Sequence, residues 1–207
     1  MQSLDLPALA ALAAALGWAS GVRLYAVVFI VGAMGWAGWL PLPPGLALLQ
    51  HPAVLVGSGV MLCVEFFADK LPWLDSLWDA LHAFIRVPAG ALLAAGVFGL
   101  DGGVMTLLAA LMGGSLSATA LATKMTARAA VNTSPEPFSN WLLSFFEDGL
   151  VVVMVWLATQ HPLVFGVVLA FVVLVSVLLL VVLFRFLRAV VRRVSSVVSS
   201  SGPTKVV

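Results

Sequence analysis

Charged residues are scarce in this chain: only 9% of its 207 residues are Asp, Glu, Lys or Arg. In soluble domains the share is about a quarter. The chain is also 62% hydrophobic, with a mean hydropathy of +1.14, which excludes an ordinary soluble domain. Long runs of Leu, Val and Ala, without the alternation of membrane β-strands, predict an all-α, multi-pass membrane protein.

Cysteine is almost absent too. Cys63 is the only cysteine in the sequence, which excludes an internal disulfide and a cysteine-based metal cluster. The first eighteen residues contain no Lys or Arg, so no cleavable signal peptide is expected. The sequence contains neither a nucleic-acid-binding motif nor a glycine-rich phosphate loop. The partner that we expect is therefore the lipid bilayer, and not a nucleic acid.

Apolar segments divide the chain into a predicted helix bundle. A membrane span takes about 20 residues, and the apolar stretch 7–18 covers only about 18 Å as a helix, so an interfacial or re-entrant helix is expected there. Prolines and glycines between segments favour interrupted helices. Residues 1–184 would form one membrane domain, followed at 185–207 by a basic cytoplasmic helical extension and a disordered tail. Six spans are predicted, at about 21–40, 53–68, 88–100, 104–123, 141–159 and 163–184.

Lysine and arginine are unevenly distributed along the chain. The turns at 41–52, 100–103 and 159–162 contain none, whereas 70–86, 124–128 and the chain beyond residue 184 contain nearly all of them. The positive-inside rule places the second group in the cytoplasm, so six spans predict that both termini are cytoplasmic. The arginines beyond residue 184 are expected to contact anionic lipid headgroups.

The first polar segment (residues 65–90) holds six of the nineteen charged residues. Asp75, Asp79, His82 and Arg86 are spaced i, i+4, i+7 and i+11, which places them on one stripe of an α-helix. A short amphipathic helix is predicted over 73–85, followed by a break at Pro88.

This stripe has a functional and a structural interpretation. Asp75 and Asp79, one helical turn apart, can share a divalent cation or hold a proton between them. His82 can titrate or bind a metal ion. In the alternative interpretation the stripe is a solvated helix face, with His82 hydrogen-bonded and Asp79 paired with Arg86.

Further polar residues lie at membrane depth or in the second polar segment (residues 124–148). Ionisable groups at that depth are costly and by default face a cavity or a partner. Lys124 and Arg128 can bind an anion, as can Arg23, which can instead extend to the membrane surface. The candidate substrate- or ion-binding residues are Glu65, Asp69, Lys70, Asp75, Asp79, His82, Arg86, Asn132, Ser134, Glu136, Asn140, Glu147, Asp148 and Arg23.

Two long stretches carry a family resemblance: VEFFADKLPWLDSLWDALHAFIRVPAGALLAAG and NTSPEPFSNWLLSFFEDG. Both resemble an uncharacterised bacterial membrane family, domain of unknown function 4126, over about Leu9 to Leu183. The resemblance implies an integral protein of the bacterial cytoplasmic membrane, without catalytic residues to transfer. EFFADK at 65–70 also echoes SFFEDG at 144–149, which is compatible with an inverted repeat of the kind found in transporters.

Three functions remain open. The first is a small transporter or permease for an inorganic ion or a lipid phosphate, with a polar site that opens to the cytoplasm. The second is a membrane enzyme that acts on lipid phosphates with a divalent cation held by the carboxylates. The third is a non-catalytic scaffold, whose charges would lie in the cytoplasm without a shared cavity. A homo-oligomer is compatible with each.

Overall fold

The computed structural model describes residues 4–99, 101, 103–132 and 137–200, and every regular element in these ranges is helical. Five helices are long and apolar enough to cross a membrane. A 3₁₀ segment and the helix after it, bent by 67°, form a possible sixth span. The predicted all-α membrane fold is confirmed. Its elements are α1 (Leu6–Trp36), the 3₁₀ segment (Pro44–Gln50), α2 (Pro52–Ala68), α3 (Pro72–Val97), α4 (Val104–Val131), α5 (Pro137–Gln160) and α6 (Pro162–Ser200).

Proline opens most of these helices. It stands in the first turn of α1, α2 and α3 and is the first residue of α5 and α6. The first turn of a helix needs no N–H donor, so proline starts a helix there without losing a hydrogen bond. At the start of α1, Asp5 adds a cap by accepting a hydrogen bond from the Ala8 amide at 3.0 Å.

Helix α3 differs from the sequence prediction. One helix covers Pro72–Val97, where we expected a short helix at 73–85, a break at Pro88 and a separate span from there to residue 100. Pro88 lies inside the helix, which packs closely against α4, and Ser117 donates a hydrogen bond to the Arg86 carbonyl at 3.0 Å. This hydrogen bond joins α3 to α4 two residues before Pro88, and the close packing of the two helices keeps the chain helical across the proline. The charged stripe of α3 is therefore part of one long helix that is apolar enough to cross a membrane.

Helix α1 is interrupted at Arg23. The backbone leaves helical geometry there (φ −147°, ψ 79°), so α1 consists of two halves, residues 6–22 and 24–36. We predicted a break in this region, but between a helix at 7–18 and a span at 21–40. All residues from 11 to 24 are buried, so the first half of α1 forms the centre of the bundle.

The first half of α1 runs in the same direction as α4. Gly17 lies against Gly113, and Gly21, four residues later, lies against Ser117. A Cβ atom on Gly17 would collide with the Cα of Gly113. Such small-residue contacts let membrane helices approach closely.

The second half of α1 runs opposite to α2. Phe29 lies against Gly59, and Gly32 lies against Leu55, so the contacts move back along α2 as α1 advances. α2 and α4 end at the same end of the bundle. The first half of α1 therefore approaches that end, the second half leaves it, and Arg23 forms the tip between them.

This hairpin bears on the predicted topology. Both ends of α1 lie at the end of the bundle that holds the 3₁₀ segment, where Gly45 packs against Gly96. The prediction that both termini are cytoplasmic counted residues 21–40 as a complete span, and it stays a prediction.

Candidate functional site: a buried ionic network

Ten ionisable side chains from five helices and the α2–α3 turn meet near one end of the bundle. Each has an oppositely charged group within 4.0 Å. All are buried except Asp148, whose side chain is 28% exposed. We call this set the ionic network. Its members are Arg23 of α1, Glu65 of α2, Asp69 after α2, Asp75, Asp79 and Arg86 of α3, Lys124 and Arg128 of α4, and Glu147 and Asp148 of α5.

Arg23 links the tip of α1 to the end of α2 and to α5. Its Nη1 lies 2.9 Å from Asp69 Oδ2 and its Nε lies 3.1 Å from Asp148 Oδ1. Its Nη2 donates to the Ser144 hydroxyl at 2.7 Å. The break in α1 therefore lies where one guanidinium holds three parts of the bundle together.

Arg86 joins α3 to α2. Its Nη1 donates to Asp79 Oδ1 at 2.8 Å, and its Nη2 contacts Glu65 Oε1. Asp79 lies two turns before Arg86 on the predicted stripe. The ion pair between them is present, but it is buried and shared with Glu65 and is not part of a solvated face.

Lys124 connects the Arg86 group to the Arg23 group. Its Nζ lies 3.2 Å from Asp79, 3.3 Å from Asp69, 3.7 Å from Glu147 and 4.0 Å from Glu65. Four carboxylates therefore surround a single ammonium group inside the bundle.

Arg128 binds α5 and the end of α2. Its Nη2 and Nε lie 2.8 Å and 3.3 Å from the two carboxylate oxygens of Glu147, which is a bidentate arrangement. Its Nη1 donates to the Asp69 carbonyl at 2.7 Å. A carboxylate oxygen of Asp75 lies 3.7 Å away.

Two predicted amides extend the network toward the end of α4. Asn132 Nδ2 lies 3.1 Å and 3.2 Å from the two carboxylate oxygens of Asp75. Asn140 Nδ2 donates to Asn132 Oδ1 at 2.7 Å. The predicted residues Ser134 and Glu136 lie outside the described residues.

Lys70 lies beside the network and contacts aromatic rings. Its Nζ lies 2.9 Å from the centre of the Phe66 ring and 5.0 Å from that of Phe145. Burial lowers the pKa of Lys70, and Asp148 opposes that effect. The two rings are 5.9 Å apart, so the echoed sequences EFFADK and SFFEDG lie next to each other.

His82 is held by aromatic and backbone groups. Its ring stacks on that of Trp78, with the ring centroids 4.0 Å apart, and its Nδ1 lies 2.8 Å from the Trp78 carbonyl oxygen. The rings of His82 and Tyr25 meet edge to face, with their centroids 5.8 Å apart. These contacts match the interpretation in which His82 is hydrogen-bonded, and its titration or metal binding stays a prediction.

The predicted metal pair, Asp75 and Asp79, faces two different sets of partners. Asp75 faces Arg128 and Asn132, whereas the charged partners of Asp79 are Arg86 and Lys124. In the described part of the chain, no three His, Cys, Asp or Glu side chains form a group that could hold a metal ion.

Asp69 is the network carboxylate that lies just beyond a helix end. Burial raises the pKa of its carboxyl, but the attraction of Lys124, Arg23 and Arg128 is larger in sum and holds that pKa below its usual value. Asp69 is therefore ionised at neutral pH, and its charge is balanced by three basic side chains.

The network contains more acid than base. It has six carboxylates and four basic side chains, so its formal charge is −2 when all are ionised; Lys70 nearby offsets one of these charges. Three carboxylate oxygens are buried and accept no hydrogen bond from any residue in the described ranges: Glu65 Oε2, Asp69 Oδ1 and Asp79 Oδ2. Uncompensated negative charge is costly in a low-dielectric interior, and a proton or a cation relieves that cost.

A groove of about 430 Å³ leads from the bundle surface to the network between α1, α2 and α5. Asp148 and the exposed Cys63 line it.

Sequence reasoning did not identify Ser144 and Ser117. Ser144 accepts a hydrogen bond from Arg23, and Ser117 donates one to the Arg86 carbonyl. The sequence signal for Ser144 was the similarity between SFFEDG and EFFADK, in which Ser144 corresponds to Glu65.

Comparison with known proteins gives a family match. The model of a family described as "Domain of unknown function (DUF4126)" matches residues 10–182. That range covers both polar segments and the whole ionic network. Among curated proteins and solved structures, none matches this chain.

Proposed function

We propose that this chain, which belongs to the DUF4126 family, is a small permease for a proton or a small monovalent cation, with the ionic network as its binding site. The excess of carboxylates inside an apolar bundle carries this proposal. Buried ion pairs hold a bundle together equally well when acid and base are balanced. An imbalance is costly to folding, and ionisable groups at membrane depth are by default functional.

Lys124 suggests how a cation is exchanged. Its ammonium group lies among four carboxylates, which is the environment that an entering cation requires. A proton or cation that binds to the free oxygens of Glu65 and Asp79 weakens their hold on Lys124. The binding and release of cargo then shift one basic side chain between two sets of partners, at little cost in net charge.

A carrier fits this site better than an open channel does. Arg23 and Arg86 are fully buried, so water has no direct path to them in this conformation. In carriers, interrupted helices surround a closed site that opens to one side at a time. The break in α1 at Arg23 places such an interruption within the network.

An anionic substrate is less well supported. All four basic side chains of the network are already within 4.0 Å of carboxylates. A lipid phosphate would have to displace those carboxylates and would add negative charge to a site that already has an excess of it.

A flux assay in proteoliposomes tests the proposal. Vesicles that contain the full chain receive an outward gradient of H⁺, Na⁺ or K⁺, and an enclosed fluorescent indicator reports the flux. We expect flux of at least one of these ions, and its loss in Asp79→Asn. The control Asp101→Asn changes an exposed carboxylate outside the network, so its flux should equal that of the unchanged chain. Folded protein with no flux of any of the three ions would overturn the proposal and favour a scaffold.

A further inference from the structure

A second groove reaches the ionic network from the lipid-facing side of the bundle. It has a volume of about 400 Å³ and lies between the first half of α1 and helices α4, α5 and α6. Small-molecule sites typically measure about 300–1,000 Å³. The groove differs from the one at Cys63, because its charged lining residues are Lys124 and Glu147.

The groove changes from apolar to charged along its depth. At its rim, Phe146 and Phe171 are 62% and 66% exposed on the surface of helices that are long and apolar enough to cross a membrane, so lipid chains would surround them there. At its inner wall, Lys124 and Glu147 are only 4% and 6% exposed. Trp18 adds a third aromatic side chain. A ligand that fits must be apolar over most of its surface and charged at one point.

The network determines which charge the ligand carries. Four carboxylates lie within 4.0 Å of Lys124 Nζ, and Glu147 is itself paired with Arg128 at 2.8 Å, so the sign of the site is set by the network as a whole. The whole network has two more acidic than basic members. A cation near Glu147 reduces that excess, whereas an anion increases it, and aromatic side chains attract cations further.

From this geometry we infer that the second groove binds a lipophilic cation. The ligand is an organic ammonium or phosphonium ion that enters sideways from the bilayer. Its apolar body lies against Phe146 and Phe171, and its charge lies beside Glu147. The inference rests on the proposed permease, because it makes such an ion either a second cargo or a blocker of the same network.

Two probes of equal shape and opposite charge test the inference: tetraphenylphosphonium and tetraphenylborate. Equilibrium dialysis measures the binding of each to the purified full chain in a non-ionic detergent. We expect the phosphonium ion to bind and the borate to bind at least about tenfold more weakly. Glu147→Gln should weaken phosphonium binding about tenfold, since it removes the nearest negative charge.

Two neighbouring phenylalanines provide a test variant and its matched control. Phe146→Ala removes a ring that lines the groove and should weaken phosphonium binding about fivefold. Phe145→Ala removes the neighbouring ring, which is 55% exposed and faces Phe66 instead, and should leave binding unchanged. Equal effects of the two variants, or borate that binds as tightly as phosphonium, would overturn the inference.

The flux assay separates this inference from the proposal on which it rests. If the chain moves H⁺, Na⁺ or K⁺ but binds no phosphonium, the groove inference is wrong and the permease stands. If phosphonium binds in the expected pattern and no inorganic cation moves, the groove inference stands and the small-cation permease is wrong.

Discussion

Arg23 Nη1 lies 2.9 Å from Asp69 Oδ2, although 46 positions separate these residues in the sequence and both side chains are fully buried. The pair connects the tip of the α1 hairpin to the turn between α2 and α3. It explains why an arginine stands where α1 is interrupted: the guanidinium compensates the carboxylates that meet there, and the hairpin brings it to them.

The removal of Arg23 should therefore destabilise the fold strongly. Arg23→Ala leaves buried carboxylates without their closest cation, and a broken buried pair costs about 3–5 kcal/mol. Equilibrium unfolding in SDS measures the change in free energy. The double variant Arg23→Ala/Asp69→Asn should recover part of the loss, because it also removes one of the uncompensated charges.

Arg185→Ala is the control for this prediction. Arg185 lies on α6 and is exposed, so its loss should change the free energy of unfolding by less than about 0.5 kcal/mol. If Arg23→Ala were no more harmful than this control, the ionic network would not stabilise the α1 tip.

The contact between Gly17 and Gly113 gives a steric prediction. In Gly17→Ala the new Cβ meets the α4 backbone, which cannot move aside as a flexible side chain would. We expect a loss of about 1–3 kcal/mol in the free energy of unfolding. Gly166→Ala on α6 has open space around the new Cβ and should be neutral or stabilising by up to about 1 kcal/mol. The same loss in both variants would contradict the close approach of α1 and α4.

The depressed pKa of Asp69 predicts how its contribution to stability depends on pH. Because the folded pKa lies below the unfolded value, the ionised carboxylate stabilises the fold above the unfolded value of about 3.9. That stabilisation is lost as the pH falls through the folded pKa. Asp69→Asn should therefore be less stable than the unchanged chain at pH 7, and the difference should shrink below about pH 4. A difference that did not vary with pH would show that the charge of Asp69 contributes nothing.

The re-entrant path of α1 predicts which residues are reached from each side of the membrane. In a Cys63→Ser background, cysteines that replace Asp5 and Trp39 should react with an impermeant maleimide from the same side. A cysteine that replaces Ser139, at the start of α5, should react from the opposite side. Labelling of Asp5→Cys and Trp39→Cys from opposite sides would make α1 a complete span and would contradict the hairpin.

The sequence predicted the parts of this site that follow from local periodicity. The helical spacing of Asp75, Asp79 and Arg86 placed them on one stripe, and the structure places them on one helix. The break predicted at Pro88 is absent, because packing against α4 keeps α3 helical there in spite of the proline. Arg23 was a candidate, but its bond to Ser144 could not be predicted, because it depends on how distant helices pack.

The most direct test of the permease is cation uptake driven by an imposed membrane potential. Vesicles that contain the full chain are made inside-negative, and the uptake of the cation identified in the gradient assay is followed with and without the substitution Glu65→Gln. Glu65 is fully buried and contacts Arg86, so the variant removes one of the six network carboxylates. The account predicts uptake by the unchanged chain and its loss in the folded variant. Equal uptake by both, or none by either, would contradict it.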